Sequence, residues 1–116
     1  MKLIRSTISV NAILLLLSQH SHISFAWDQM GDDIVGEAAD DESGSSVSLS
    51  SDGNIVAIGA RFNDGNGSNS GHVRVYSFDS TSSQWNQMGD DIDGEAAGDE
   101  SGSSVSLSSD GNIVAI

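Results

Sequence analysis

Short apolar runs separated by polar turns fill the chain after its first 26 residues. Residues 46–50 (SVSLS) alternate strictly, which places Val47 and Leu49 on one face and is typical of a β-strand. Residues 55–58 (IVAI) are apolar on both faces, as in a strand that is covered on two sides. The Asp-Gly pair at positions 52–53 predicts a tight hairpin between them, because glycine accepts a positive φ.

Two further strands continue the pattern. Residues 72–78 (HVRVYSF) place Val73 and Val75 on one side and three larger side chains on the other. After a polar turn, residues 84–89 predict a fourth, outer strand that carries Trp85. No long stretch has helical periodicity, so we predict an all-β fold of short antiparallel strands.

The alternation in residues 46–50 also predicts which side chains are buried. We expect Val47→Asp to destabilise the fold by several kcal/mol, because it would place an unpaired charge in the core. We expect Ser48→Asp to cost little.

The strand pattern repeats with a period of 58 residues. Alignment of Trp27 with Trp85 leaves three differences over the 32 shared residues, and residues 43–58 recur unchanged as residues 101–116. A fixed period of this length is typical of a supersecondary unit that stacks against copies of itself. Four antiparallel strands per unit predict β-propeller blades, whose open faces are covered by neighbouring blades. The chain holds about one and a half blades, so we expect it to be part of a longer protein, with both tryptophans at contacts between blades.

The N-terminal residues predict a secretory signal peptide. Lys2 and Arg5 give a basic start, residues 8–17 form an apolar run, and Ser24 and Ala26 are small residues at the −3 and −1 positions. The apolar run is shorter than the roughly 20 residues of a membrane-spanning helix. We therefore expect cleavage after Ala26 and a secreted or cell-surface protein. The predicted division of the chain is a signal peptide at 1–26, a first propeller repeat at 27–84 and a partial second repeat at 85–116.

Negative charge dominates the chain after the predicted cleavage point. Arg61 and Arg74 are its only Lys or Arg residues, against 17 Asp and Glu residues, which gives a net charge of −15. Nucleic acid and anionic lipid both depend on Lys and Arg for binding, so we expect neither as a partner, and no membrane insertion of this segment. Cysteine is absent from the sequence, so no disulfide constrains the fold.

A family resemblance rests on two stretches of the first repeat. Residues 43–61 (SGSSVSLSSDGNIVAIGAR), followed by a loop and residues 71–79 (GHVRVYSFD), resemble the FG-GAP repeat of integrin-alpha-type β-propellers. Ser43-Gly44 stands in the place of the Phe-Gly of that motif, and residues 59–61 (GAR) in the place of its Gly-Ala-Pro. The resemblance implies a β-propeller, with blades contributed by both repeats.

Strand alternation places the connections at 32–42 and 90–100 at the same end of the blade as the loop at 61–71. Hard cations such as calcium prefer the carboxylate oxygens that this end collects. The weak candidate ligands are Asp32, Asp33, Asp40, Asp41, Asp64, Asp90, Asp91, Asp93 and Asp99. No stretch has the ligand spacing of a calcium loop, and the hairpin at 50–53 is too short for one. A solvated acidic rim is therefore the favoured interpretation, calcium is a candidate only, and no metal site is assigned.

The loop at 61–71 is rich in glycine, but a strand follows it. It therefore lacks the helix N-terminus that a phosphate-binding loop requires. Asn66-Gly67-Ser68 is a glycosylation sequon, and in a secreted chain it makes Asn66 a candidate site of modification.

Catalytic chemistry has little support in the sequence. His72 is the one histidine after the predicted cleavage point, and at a strand start we expect it on the surface. Glu37 with Glu42, and Glu95 with Glu100, have the residue type of paired glycosidase carboxylates, but their repetition in both units indicates loop residues. We therefore do not expect an enzyme.

The sequence favours an extracellular binding or adhesion module that recognises a protein or a glycan through acidic loops, with or without calcium. Two alternatives stay open. In the first, the propeller is a structural scaffold or spacer without a specific ligand. In the second, it is an accessory part of a larger secreted enzyme.

Overall fold

The computed structural model describes residues 1–10 and 23–116. The described part contains strands and turns and no helix. Its strands are β1 (Ile4–Val10), β2 (Ile23–Gln29), β3 (Ser46–Leu49), β4 (Ile55–Ala60), β5 (His72–Asp79), β6 (Gln84–Gln87), β7 (Ile92–Asp93), β8 (Ser106–Leu107) and β9 (Val114–Ala115). The predicted all-β class is confirmed, and within these residues no helix has the length and apolar character needed to cross a bilayer.

The first repeat forms the predicted four-stranded antiparallel sheet in the order β3-β4-β5-β6. Val47 of β3 lies opposite Ile58 of β4, and Ile58 lies opposite Arg74 of β5. The predicted Asp-Gly hairpin joins β3 to β4, with Gly53 at a φ of 73°. Residues 56–60 are all buried, as a strand covered on both faces requires.

The outer edge of this sheet is interrupted by a bulge. β6 and β7 both pair with β5 on the same side, with Tyr76 opposite Gln87 and Val73 opposite Ile92. The Met88 amide still donates to the Val75 carbonyl at 2.8 Å, so the edge strand uses two more residues than β5 over this interval and residues 89–91 leave the ladder. Asp91 is one of them, so its side chain is free to turn toward β5.

One face of the sheet carries the apolar core. Val56, Ile58 and Tyr76 are buried there against Leu3 and Ile34 from the N-terminal part of the chain. At its border the indole of Trp85 packs on the Phe78 ring, with centroids 5.1 Å apart, and donates a hydrogen bond of 2.7 Å to the Met30 carbonyl.

The opposite face of the sheet receives the second repeat. A Cβ on Gly59 would meet the carbonyl oxygen of Gly102, so the two main chains lie in direct contact. Ser46 donates its hydroxyl to the same carbonyl at 2.6 Å, and Ser48 accepts the Leu107 amide at 2.9 Å. The predicted stacking of one repeat on the next is thus present, and serine hydroxyls, glycines and the side chains of Ile55 and Val73 make the contact.

The structure corrects the prediction for residues 46–50. Val47 and Leu49 share one face, as predicted, but both are half exposed because they lie at the edge of the core. Ser48 faces the second repeat and bonds to its backbone. The expectation that Ser48→Asp costs little is therefore wrong, since alternation separates the two faces without indicating which face a neighbour covers.

The two aligned tryptophans differ. Trp85 packs on Phe78 of its own sheet and bonds to Met30 of the preceding connection, so its placement between blades stays a prediction, whereas Trp27 is 69% exposed. β2, which contains Trp27, pairs with β1 instead of joining the outer edge of a four-stranded sheet. The prediction that Trp27 fills a contact between blades is therefore wrong. The apolar run at 8–17 falls largely outside the described residues, so the signal peptide stays a prediction, as do the repeat boundaries.

Candidate functional site

Three loops lie side by side at one end of the sheet, and we call residues 36–42, 61–71 and 94–100 the loop rim. The Phe62 amide donates to the Asp41 carbonyl at 3.3 Å, which ties the first loop to the second. The Glu100 amide donates to the Asn69 carbonyl at 3.0 Å, which ties the second loop to the third. The predicted gathering of these connections at one end is confirmed.

The two Asp-Gly hairpins contact each other away from the loop rim. The Ser51 amide of the first hairpin donates a 2.9 Å hydrogen bond to the Ser109 carbonyl of the second. The repeats are therefore in contact through both their loops and their hairpins.

The first half of the loop rim contains a buried carboxylate. Asp41 is buried and accepts hydrogen bonds from the Asn63 side-chain amide at 2.9 Å and from the Ala38 amide at 3.2 Å. Both hydrogen bonds come from within the fold, so the buried carboxylate is not left without partners. Asp41 is therefore occupied in holding the loops together.

An open cleft of about 340 Å³ lies between the first two loops of the rim. Asp40 and Asp64 are exposed at this cleft, and Asp64 accepts the Asn69 amide at 2.7 Å. The Arg61 guanidinium lies 4.4 Å from the centroid of the Phe62 ring, which is the geometry of a cation–π contact. The residues that line the cleft are Ala39, Asp40, Asp41, Phe62, Asp64 and Asn69.

The remaining acidic candidates are distributed over other parts of the fold. Asp32 and Asp33 line a separate depression beside Trp85, and Asp90 and Asp93 are exposed. Asp99 accepts the Ala96 amide at 2.8 Å within its own loop. The structure therefore divides the predicted acidic rim into separate groups.

Asp91 belongs to a different group, centred on His72. His72 is only 1% exposed, and its Nδ1 is buried without a hydrogen-bond partner. The Asp91 Oδ2 lies 3.5 Å from this nitrogen and the Glu37 Oε2 lies 3.9 Å from it. The expectation of a surface histidine is wrong, because the bulge before β7 brings Asp91 over the start of β5.

Neighbouring side chains hold the two carboxylates in place. Gln87 donates to the Asp91 Oδ1 at 2.7 Å, and Asn63 donates to the Glu37 Oε2 at 3.3 Å. The Arg74 Nη1 lies 3.8 Å from the Glu37 Oε1.

The same environment acts on the Tyr76 phenol. Burial is the largest cause that raises the pKa of Tyr76, the Arg74 charge opposes this shift, and the carboxylates of Asp91 and Glu37 add to it. The core side of the sheet therefore lies next to concentrated negative charge.

Little in the sequence indicates that these three residues meet. Glu37, His72 and Asp91 are separated by 35 and 19 positions, and they meet only because of the bulge. The repeat offers a partial signal for the two carboxylates. Asp91 in the second unit corresponds to Asp33 in the first, and Glu37 in the first corresponds to Glu95 in the second.

Asn66 lies on an exposed turn of the second rim loop. Its side-chain Nδ2 donates to the Gly94 carbonyl at 2.8 Å and to the Glu95 carbonyl at 3.4 Å. A glycosylated Nδ2 retains one hydrogen, which suffices for the shorter of these two bonds. Modification of Asn66 stays a prediction.

Residues 36–76, from the first rim loop through most of β5, match the family model described as FG-GAP repeat. The chain contains an FG-GAP repeat. No curated protein and no solved structure matches the chain significantly. The resemblance of the two quoted stretches is confirmed, and the matched segment contains the three-stranded part of the blade.

The structure gives a physical reason for Gly59 of the matched segment and for Gly102 outside it. Gly59 is in the Gly-Ala-Pro-like position, Gly102 is the counterpart of Gly44 in the second unit, and their main chains touch. Gly102 also has a φ of 86°, which L side chains rarely adopt. The motif therefore marks the contact between one blade and the next.

Proposed function

We propose that these FG-GAP repeats are part of a secreted, non-catalytic β-propeller module that binds an extracellular protein or glycan through the loop rim. The observation that carries the proposal is the cleft between the first two rim loops. It combines exposed carboxylates of Asp40 and Asp64 with the ring of Phe62. Concave sites that pair an aromatic surface with a few polar groups are typical binding sites.

The chemistry of the cleft limits the partner. Asp40 and Asp64 would attract a basic protein segment, and they would accept hydrogen bonds from the hydroxyl groups of a glycan. Phe62 offers an apolar surface for either ligand. The excess of acidic residues argues against nucleic acid and anionic lipid as partners.

Calcium is a candidate aid to this binding. The exposed oxygens of Asp40 and Asp64 are the ligand type that the ion prefers. The test is to titrate calcium to millimolar levels and measure the thermal midpoint, because an ion that binds the folded state raises the midpoint by mass action. An unchanged midpoint would remove calcium from the proposal and leave the cleft intact.

Binding itself is tested with the whole chain immobilised on a sensor surface and exposed to a panel of extracellular-matrix proteins and glycans. A partner that uses the cleft should lose most of its affinity for the double variant Asp40→Asn/Asp64→Asn. The matched control is Asp32→Asn/Asp90→Asn, which removes the same charge from exposed positions outside the rim.

Equal loss of affinity in both double variants would mean that the partner responds to net charge and not to the cleft. Absence of any partner in the panel would favour the structural scaffold. Enzymatic activity that is lost with the cleft would favour an accessory role in a larger enzyme.

A further inference from the structure

We infer that Glu37, His72 and Asp91 form a site for a divalent transition-metal ion, with zinc as the best match. This inference is independent of the proposed binding function. Among the side chains that the structure describes, these three are the group whose potential ligand atoms lie within 4.8 Å of one another. They combine one imidazole nitrogen with two carboxylate oxygens, which is a ligand set that zinc accepts.

The strongest observation is the unsatisfied nitrogen of His72. A buried polar atom without a partner is costly, so native folds rarely contain one without a reason. The Nδ1 of His72 is such an atom, and the Asp91 Oδ2 and the Glu37 Oε2 lie within 4 Å of it. A metal ion between these three atoms would supply the missing partner.

The distances favour a shared ion over direct hydrogen bonds. The separations of 3.5 and 3.9 Å between His72 Nδ1 and the two oxygens exceed the usual 2.7–3.2 Å of a hydrogen bond. Ligands about 2.1 Å from a tetrahedral zinc ion lie roughly 3.4 Å apart. Asp91 already has this spacing from His72, Glu37 is about half an ångström too far from it, and the oxygens of the two carboxylates lie within 4.8 Å of each other.

The ligand types decide between metals. Calcium and magnesium take oxygen ligands almost exclusively, whereas imidazole suits zinc and other transition metals. Three protein ligands leave a fourth tetrahedral position for water, and the partly exposed side chain of Glu37 gives the ion a path from solvent.

The surrounding residues resemble the outer shell of a metal site. Gln87 holds the Oδ1 of Asp91, which leaves Oδ2 directed at His72. Arg74 approaches the Oε1 of Glu37, the oxygen farther from the proposed ion, and its charge offsets one of the two carboxylates. With zinc bound, the group would carry a net charge of about +1.

The position of the site gives it a structural role. Glu37 comes from the connection before the blade, His72 from the third strand of the blade, and Asp91 from the connection after it. A bound ion would therefore join the two connections on either side of one FG-GAP repeat, and every further repeat with the same three residues would hold another ion.

The experiment uses the full chain with His20 and His22 replaced by Gln, because these are the other histidines in the sequence. After treatment with a chelator, zinc is added and binding is followed by calorimetry and by the thermal midpoint. We expect one ion per chain and a rise in the midpoint, and the nitrogen chemical shift of His72 should change on binding. Cobalt in place of zinc should give the visible absorption of a tetrahedral site.

Two variants test the ligands without altering the buried histidine. Glu37→Gln and Asp91→Asn should each lower zinc affinity at least tenfold, while Glu95→Gln, the same unit position in the second repeat, should leave it unchanged. Absence of zinc binding, or equal affinity in all three variants, would overturn the inference. Binding of calcium but not zinc, with no change at His72, would overturn it as well.

Discussion

Residues 43–58 and residues 101–116 have the same sequence but different structures. In the first copy β3 has 4 residues and β4 has 6, and Ile58 is 1% exposed. In the second copy β8 and β9 have 2 residues each, and Ile116, the counterpart of Ile58, is 48% exposed. The residues of the two copies are identical, so the difference comes from their neighbours: residues 59–79 follow the first copy and supply β5, and no described residue follows Ile116.

The neighbour that matters is β5. It pairs with β4 along Ile55 to Ala60 and completes the sheet over which the core packs. Within the described residues β9 pairs with β8 only. Strand length and burial in this repeat therefore depend on the adjacent strand more than on local sequence preference.

Unlike the strands, the turn between them has the same structure in both copies. Asp52 accepts the Ser50 hydroxyl at 2.6 Å and the Asn54 amide at 3.0 Å. Asp110 accepts the Ser108 hydroxyl at 2.6 Å and the Asn112 amide at 3.1 Å. Local hydrogen bonds thus specify the turn, and distant contacts specify the strands.

The largest expected effect comes from truncating the buried member of a matched pair. Ile58→Ala should lower the free energy of unfolding by about 2–5 kcal/mol, because it leaves a cavity in the core. Ile116→Ala, at the residue preceded by the same sequence, should change it by less than about 0.5 kcal/mol. Urea unfolding of both variants measures the difference, and equal losses would mean that the two copies are equally packed.

The second prediction concerns the main-chain contact between repeats. Gly44 and Gly102 have φ values of 90° and 86°, so replacement by alanine strains both positions similarly. A Cβ at Gly44 has open space, whereas a Cβ at Gly102 meets the His72 carbonyl and Gly59. Gly102→Ala should therefore cost about 1–3 kcal/mol more than Gly44→Ala in urea unfolding. A cost no greater than that of Gly44→Ala would contradict the close contact.

A smaller effect is expected at the serine that bonds across repeats. Ser48→Ala removes the acceptor of the Leu107 amide and should cost about 0.5–1.5 kcal/mol. Ser106→Ala, at the exposed counterpart position, should be nearly neutral. Hydrogen exchange at the Leu107 amide provides the direct measurement, and it should accelerate in Ser48→Ala alone.

The smallest effect is an acid dependence shared by both turns. The Ser50 hydroxyl first, and then the backbone and side-chain amides of Asn54, lower the pKa of Asp52 below its ordinary value of 3.8. Ser108 and Asn112 lower the pKa of Asp110 in the same way.

A lowered pKa in the folded state stabilises the fold at pH values above the unfolded pKa of about 3.9, and this contribution disappears as the pH falls through the folded value. Carboxyl chemical shifts followed below pH 4 should give two similar pKa values under 3.8. An ordinary value for Asp110 with a lowered one for Asp52 would show that the turn also needs the neighbouring strands.

The parts of the fold that depend on local chemistry were predictable from the sequence. The Asp-Gly hairpin, the doubly buried strand at residues 55–58 and the outer strand with Trp85 each follow from a few adjacent residues. The period of 58 residues added the stacking of repeats, because an unchanged copy implies an unchanged set of contacts.

The parts that depend on distant chain segments were not predictable. The alternation of apolar and polar residues placed Val47 and Ser48 on opposite faces of the strand, but it did not indicate which face lies against the next repeat. Trp27 and Trp85 have the same sequence context, but only Trp85 has a complete sheet to join. The group around His72 depends on a bulge with two extra residues in the edge strand, and no local sequence pattern predicts such a bulge.

The contact between Gly59 and Gly102 has a consequence for assembly. Because backbone touches backbone there, the spacing between consecutive blades is set by atoms that every sequence shares, and side chains cannot compensate for a change. In a circular arrangement, a small error in spacing would be multiplied by the number of blades and would prevent the last blade from meeting the first. The exposed loops of such a ring can vary in sequence, whereas Gly59 and Gly102 set the distance between its blades.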